Sequence, residues 1–203
     1  AEANTVIGSG VASNGIPFGW GDEWDTGEDC SGIGTHGTAK YTTIRNNTFI
    51  NLIRGVVNRS LYTDVVGNKF LGRFLECVHN SHGFAVNILN NSFDSNIFGV
   101  VSTSPQGAAN INSQQVRTFA RFSDNWDTRF RSKISGNTGE VHSNFIRVDG
   151  GGLNLSVSSN SLKFNSMSKT TETYFLMHAT GVAVPINRLH VVGNNLNSHS
   201  SRK

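Results

Sequence analysis

Charge is scarce in this sequence: only 15% of its 203 residues are Asp, Glu, Lys or Arg, and proline and cysteine number 3 and 2. That shortage excludes a coiled coil, and the 36% of hydrophobic residues excludes a disordered chain. Cys30 and Cys77 are too few for a disulfide framework and have no metal-ligand spacing. Cys77 lies in a strand-like run and reads as a small buried thiol. No apolar run approaches the roughly 18 residues of a membrane span, and no signal-peptide pattern opens the chain. No membrane insertion is expected. The net charge is +3 and the pI about 9.1, with Lys and Arg dispersed. Nucleic-acid binding calls for a basic stripe or motif, so no nucleic-acid partner is expected, although a mildly basic face attracts acidic polymers.

What is abundant is turn-forming: 22 glycines and many Asn and Ser, interleaved with Phe, Val and Ile. The first group favours turns and left-handed backbone, the second strands. An all-β protein with many turns is expected.

The turns and strands recur together. Thr43-Ile44-Arg45-Asn46-Asn47-Thr48-Phe49, Asp64-Val65-Val66-Gly67-Asn68-Lys69-Phe70 and Asn87-Ile88-Leu89-Asn90-Asn91-Ser92-Phe93 align without gaps. Lys133-Ile134-Ser135-Gly136-Asn137, Ser156-Val157-Ser158-Ser159-Asn160-Ser161-Leu162 and His190-Val191-Val192-Gly193-Asn194-Asn195-Leu196 continue the series. The aligned Asn residues stand at 47, 68, 91, 137, 160 and 194, with intervals of 21, 23, 46, 23 and 34. Three intervals match one coil, 46 is twice 23, and 34 is a coil with an insertion. A second strand follows the Asn in Gly55-Val56-Val57, Glu76-Cys77-Val78, Gly99-Val100-Val101 and Phe145-Ile146-Arg147.

A two-strand unit of this length cannot bury its own apolar face. Parallel stacking about 4.8 Å apart pairs each strand with its equivalents and encloses one core. The expected fold class is therefore all-β: a right-handed parallel β-helix, a solenoid with coils of about 21–23 residues. Ile44, Val65, Ile88, Ile134, Val157 and Val191 form one expected inward stack, and Phe49, Phe70 and Phe93 another. The aligned Asn residues are expected at the bend, tolerating left-handed geometry and bonding in a ladder. An antiparallel sandwich would not need the same residue at the same offset in every unit.

Two regions break the pattern, and in a solenoid insertions carry function. Residues 1–40 form an expected N-terminal coil or cap with a Trp- and acid-rich loop, and residues 41–203 the coils, with an insertion at about 103–131. In the first loop Trp20, Asp22, Trp24 and Asp25 suit a glycan, since indole faces pack on sugar rings and carboxylates bond to hydroxyls; closing the core as a cap explains the tryptophans equally. In the second, Trp126 is a candidate for sugar contact, and simple insertion or subunit contact is the plainer reading.

Strand alternation predicts which acids face outward. With Val56, Cys77 and Val100 inward, Glu76 faces out between Gly55 and Gly99, the floor of a groove that Arg54 and Arg73 could line. Asp94 and Glu140 both sit three residues after the aligned Asn, one or two coils apart. One coil gives roughly 5 Å and two about 10 Å, the separations of retaining and inverting glycosidases. Asp64 faces outward on the first strand. Each acid is alternatively a solvated or salt-bridged surface residue. His79 and His82 have no further ligand at metal spacing, so polar contacts explain them better, and neither a metal nor another cofactor is expected.

At Asn47-Thr48-Phe49, Asn68-Lys69-Phe70 and Asn91-Ser92-Phe93 the chain resembles the pectate-lyase-like parallel β-helix superfamily, over roughly residues 40–200. Within it, low charge and abundant Asn, Ser and Gly look most like the β-helix of a bacteriophage tailspike. The resemblance implies a homotrimer on the virion tail, or a secreted protein, that binds and hydrolyses a bacterial surface polysaccharide, capsule or O-antigen. Glu76, Asp94, Asp64 and Glu140 are then the candidate catalytic acids, and Trp20, Trp24, Asp22, Asp25, Arg54, Arg73, His79 and Trp126 the substrate contacts. It equally allows a non-catalytic glycan-binding or structural fibre segment, or a lyase or epimerase. The calcium-binding acid clusters of pectate lyases and the paired Asp of polygalacturonases are not recognisable.

Overall fold

The computed structural model describes residues 1–8, 31–94, 116–125, 130–141, 144–151, 154–165, 175–180 and 188–199. All regular structure among them is β-strand, and every strand pairing is parallel. One six-stranded sheet is built from β3 (Lys40–Arg45), β5 (Leu61–Val66), β7 (Val86–Leu89), β10 (Arg131–Ser135), β13 (Asn154–Ser158) and β16 (Arg188–Val192). An eleven-stranded sheet holds the rest. Its long strands β4 (Thr48–Asn58) and β6 (Lys69–Ser81) carry two segments each. The first segment aligns with β1 (Thr5–Ile7), β8 (Ser92–Asp94), β11 (Thr138–Val141), β14 (Ser161–Asn165) and β17 (Asn195–His199). The second aligns with β2 (Ser31–Gly34), β9 (Val116–Asn125), β12 (Asn144–Gly151) and β15 (Phe175–Thr180). Each full repeat thus supplies three strand segments, one more than the two that the repeated stretches announce. This is an all-β stack of parallel strands in curled sheets, compatible with a β-helix or solenoid.

The aligned asparagines form the expected ladder, and Asn4 extends it. Asn4, Asn47, Asn68, Asn91, Asn137 and Asn160 each donate their backbone N–H and side-chain amide to the Oδ1 of the next, at 2.7–3.1 Å, ending on Asn194. The second amide hydrogen goes to a backbone carbonyl, as from Asn91 to Val65 at 2.9 Å and from Asn137 to Ile88 at 3.0 Å. The ladder asparagine is not the left-handed residue, however. That conformation falls one position earlier every time, on Ala3, Asn46, Gly67, Asn90, Gly136, Ser159 and Gly193, with φ from 54° to 68°. Gly or Asn fills all five positions other than Ala3 and Ser159, because these adopt left-handed backbone at least cost.

The 46-residue interval between Asn91 and Asn137 is one repeat, since Ile88 pairs directly with Ile134. It holds the insertion. Part of the stretch expected as insertion, residues 116–125, is nevertheless strand β9, inserted in the sheet between β6 and β12.

Ile44, Val65, Ile88, Ile134 and Val157 are fully buried in one column, while Val191 on β16, the end strand of this sheet among the described residues, is 44% exposed. Phe49 stacks on Phe70 with ring centroids 5.1 Å apart. Phe93 stacks instead on Phe119, at 4.4 Å, and Phe119 on Phe145, at 5.1 Å, so the aromatic core crosses to the second segment. Gly55 faces this core: a Cβ there would strike the Phe70 ring.

Replacing Asn91 by Ala strips a buried position of two accepted and two donated bonds. Each buried group left unpaired costs about 1–3 kcal/mol. Urea denaturation should show a loss of about 3 kcal/mol or more for Asn91→Ala, and under about 1 kcal/mol for Asn194→Ala at a half-buried position. Equal losses at the two positions would contradict the ladder as the source.

Candidate functional site

The expected outward Glu76 is in fact buried, at 2% exposure. Arg54, Arg121 and His79 cover its carboxylate, and a one-residue register shift between β4 and β6, where Ile50 pairs with Leu71 but Leu52 with Phe74, changes its neighbour. Gly72 takes up the extra residue at φ 87°, a conformation that glycine adopts without strain. Beyond it Glu76 pairs with Arg54 and Thr118, and Gly55 no longer flanks it. The other expected flank, Gly99, lies outside the described residues.

Alternation breaks just after Glu76. Cys77 and Val78 are consecutive and both fully buried, as are Phe119 with Ala120 and Phe145 with Ile146. The break brings Glu76 and His79 together, His79 Nδ1 lying 3.3 Å from Glu76 Oε2, out of line for a hydrogen bond. Arg54 Nε donates to Glu76 Oε2 at 3.1 Å and Arg121 Nη1 to Oε1 at 2.8 Å. The other His79 nitrogen, Nε2, meets Ser123 Oγ at 2.9 Å. Both Glu76 oxygens are thus taken by guanidinium N–H groups. The cluster serves to neutralise a buried carboxylate, and a substrate would have to displace an arginine to reach it. Arg54 is at Glu76 as expected, but as its partner rather than as the wall of a groove. Arg73 lies in β6 beside the shift, and its side chain lies outside the described residues.

Asp94 and Glu140 do come together. Ser92 pairs with Thr138 and Phe93 with Gly139, so the same register sets Asp94 opposite Glu140, one repeat apart. Glu140 pairs in turn with Lys163, and Lys163 with Asn197. The four line a cleft of about 480 Å³ together with Ser92, Thr138 and Ser161. Lys163 Nζ sits 3.0 Å from Glu140 Oε2. Glu140 is buried and Asp94 exposed. Adjacent strands about 4.8 Å apart give carboxylate spacings of the order used by retaining glycosidases.

Asp64 lies on the other sheet, in register with Thr43 and Asn87, and accepts from Asn87 Nδ2 at 2.8 Å. It shares no site with the other acids. Trp20, Asp22, Trp24, Asp25 and Trp126 lie outside the described residues. Sequence reading missed Arg121, Lys163 and Ser123. Arg121 was within reach: Phe119-Ala120-Arg121 echoes Phe145-Ile146-Arg147, and the two pair residue for residue. Lys163 also occupies the third position after its ladder Asn, as Asp94 and Glu140 do.

No family model matches the chain, and neither a curated protein nor a solved structure matches it.

Burial lowers the His79 pKa from 6.5 to about 4; Glu76 opposes the shift, while Arg121, Arg54 and Arg59 add to it. Between these values the unfolded chain carries a proton on His79 that the folded chain does not. Stability therefore falls as pH drops from about 6.5 towards 4, by about 3 kcal/mol, and this contribution stays lost below that. Denaturation midpoints measured across this window should slope in the parent and flatten in His79→Gln. An unchanged slope in the variant would remove His79 as the cause.

Proposed function

We propose that the stacked repeats form a right-handed parallel β-helix of the tailspike type, which binds and hydrolyses a bacterial surface polysaccharide. In this reading the chain acts as a homotrimer on a virion tail. The observation that carries the proposal is the file Asp94, Glu140, Lys163 and Asn197 on consecutive repeats in one cleft. A row of polar side chains at strand spacing suits a linear polymer lying across the strands. Two carboxylates on adjacent repeats supply the pair that glycoside hydrolysis needs.

Glu140, fixed by Lys163, is placed as the nucleophile towards the anomeric carbon. Asp94, at the open side, is placed to protonate the leaving oxygen and then to draw a proton from the attacking water. This assignment moves the chemistry from Glu76, whose oxygens are both engaged, to the acids that share a cleft.

Capsule and O-antigen preparations from candidate hosts should yield new reducing ends on incubation with the protein, with retention of anomeric configuration. Glu140→Gln and Asp94→Asn should each lower kcat/KM by about 10²–10⁴, while Glu76→Gln should act mainly through stability. Retention of the glycan without cleavage would make the cleft a binding site only. An unsaturated, ultraviolet-absorbing product would make the protein a lyase.

A further inference from the structure

The outer face of the six-stranded sheet carries a second, differently built strip. Alternation along these strands turns Ile44, Val65, Ile88, Ile134 and Val157 inward, so their neighbours face out. Continuing the strand register places Tyr41, Tyr62, Ala85, Arg131, Asn154 and Arg188 in one outward file. The next file holds Thr43, Asp64, Asn87, Lys133, Ser156 and His190, so one carboxylate, Asp64, lies near the tyrosine end and is bonded to Asn87. Arg131, Asn154, Arg188 and His190 border, with Leu155 and Leu189, a cleft of about 640 Å³ that no carboxylate lines.

Several cations of the fold are engaged in ion pairs. Arg45 is bonded to Glu2, Arg54 and Arg121 to Glu76, and Lys163 to Glu140. Arg131, Lys133, Arg188 and His190 are exposed and, among the described residues, have no acidic partner. An anion approaching them displaces no internal ion pair.

Further along the same file Tyr41, 76% exposed, stacks on Tyr62 with centroids 5.0 Å apart and planes within 8°. Phe130, next to Arg131, meets Tyr62 edge-on at 5.6 Å. Both tyrosines sit in left-handed backbone, at φ 56° and 54°, which bulky side chains rarely adopt. The same left-handed backbone recurs at Ala85 in this file, so it belongs to the turn of the repeat, and two of its positions carry the aromatic pair. An aromatic platform leading into a row of unpaired cations matches a chain of sugar rings that carries acid groups.

The spacing narrows the class. Neutral Asn154 stands between Arg131 and Arg188, so these two guanidinium groups lie two strands apart, about 10 Å. A sugar residue in an extended chain advances by about one strand spacing. Single-stranded nucleic acid, with a phosphate on every residue, would call for a cation at every step. We propose that this face binds an anionic polysaccharide bearing a carboxylate on alternate sugars, with Arg131 and Arg188 taking the acids and Tyr41 stacking on a ring. The strip lies on the other sheet from the Asp94–Glu140 cleft, so each can fail without the other.

Hyaluronan, which alternates acidic and neutral sugars, is the probe, with dextran and a single-stranded oligonucleotide as comparisons. The full chain should bind hyaluronan at low salt, lose affinity as ionic strength rises, and bind dextran and the oligonucleotide more weakly. Arg131→Gln with Arg188→Gln should weaken hyaluronan binding about tenfold and flatten its salt dependence. Tyr41→Ala should weaken it with the salt dependence intact, and Glu140→Gln should leave it unchanged. All of these positions except Glu140 are exposed, and circular dichroism would verify that each variant is folded. Absence of hyaluronan binding at low salt, equal binding by the double arginine variant, or tighter binding of the oligonucleotide would each overturn the proposal.

Discussion

The asparagine ladder is the interaction on which the stack depends. Parallel strands from neighbouring repeats need a fixed register at every level, and apolar side chains such as Ile, Val and Phe are too alike to set it alone. One buried amide per repeat does so. Its oxygen accepts two hydrogen bonds from the repeat before and its nitrogen donates to the repeat after and to a backbone carbonyl, so a slip of one residue would strand several buried polar groups at once. The left-handed residue just before each ladder asparagine turns the chain from one sheet into the other, which delivers the amide to the same place each time. The two residues have separate tasks: one bends the chain and the other locks the repeat.

Much of this was legible in the sequence, because a ladder demands the same residue at the same offset. The asparagines, the aliphatic column and the parallel stacking could all be read from alignment of six short segments. What could not be read was anything that shifts the count inside a repeat. Gly72 adds a residue to β6 that no periodicity marks, and every position after it moves by one. Glu76, assigned an open groove between glycines, is instead set opposite Arg54 and held between two arginines. Likewise, 46 residues divide evenly into two coils, and only the pairing of Ile88 with Ile134 shows one repeat with added chain.

The site was legible in the same measure. Asp94 and Glu140 precede or follow no register shift relative to their ladder asparagines, so their shared offset translated directly into adjacency. Asp64 was correctly placed facing outward, yet sequence offset alone could not say that its sheet is not the one that carries the other acids. Lys163 completes the cleft from the same offset, a signal as plain in the sequence as that of the two acids.

The ladder also determines where variation is free. The bonds from Asn91 to Asn137 span 46 residues and are 3.0 Å long, and those from Asn47 to Asn68 span 21 at 2.9–3.0 Å, so the length of chain between rungs leaves no trace in the lock. Loop closure costs grow slowly with length, so an insertion between strands leaves the stack nearly undisturbed. The largest addition follows directly on Asp94, at the edge of the cleft. Inward columns and ladder positions answer to packing; outward files and the junctions between strands do not. It is in those unconstrained positions that the Asp94–Glu140 pair and the Arg131–Arg188 file both lie.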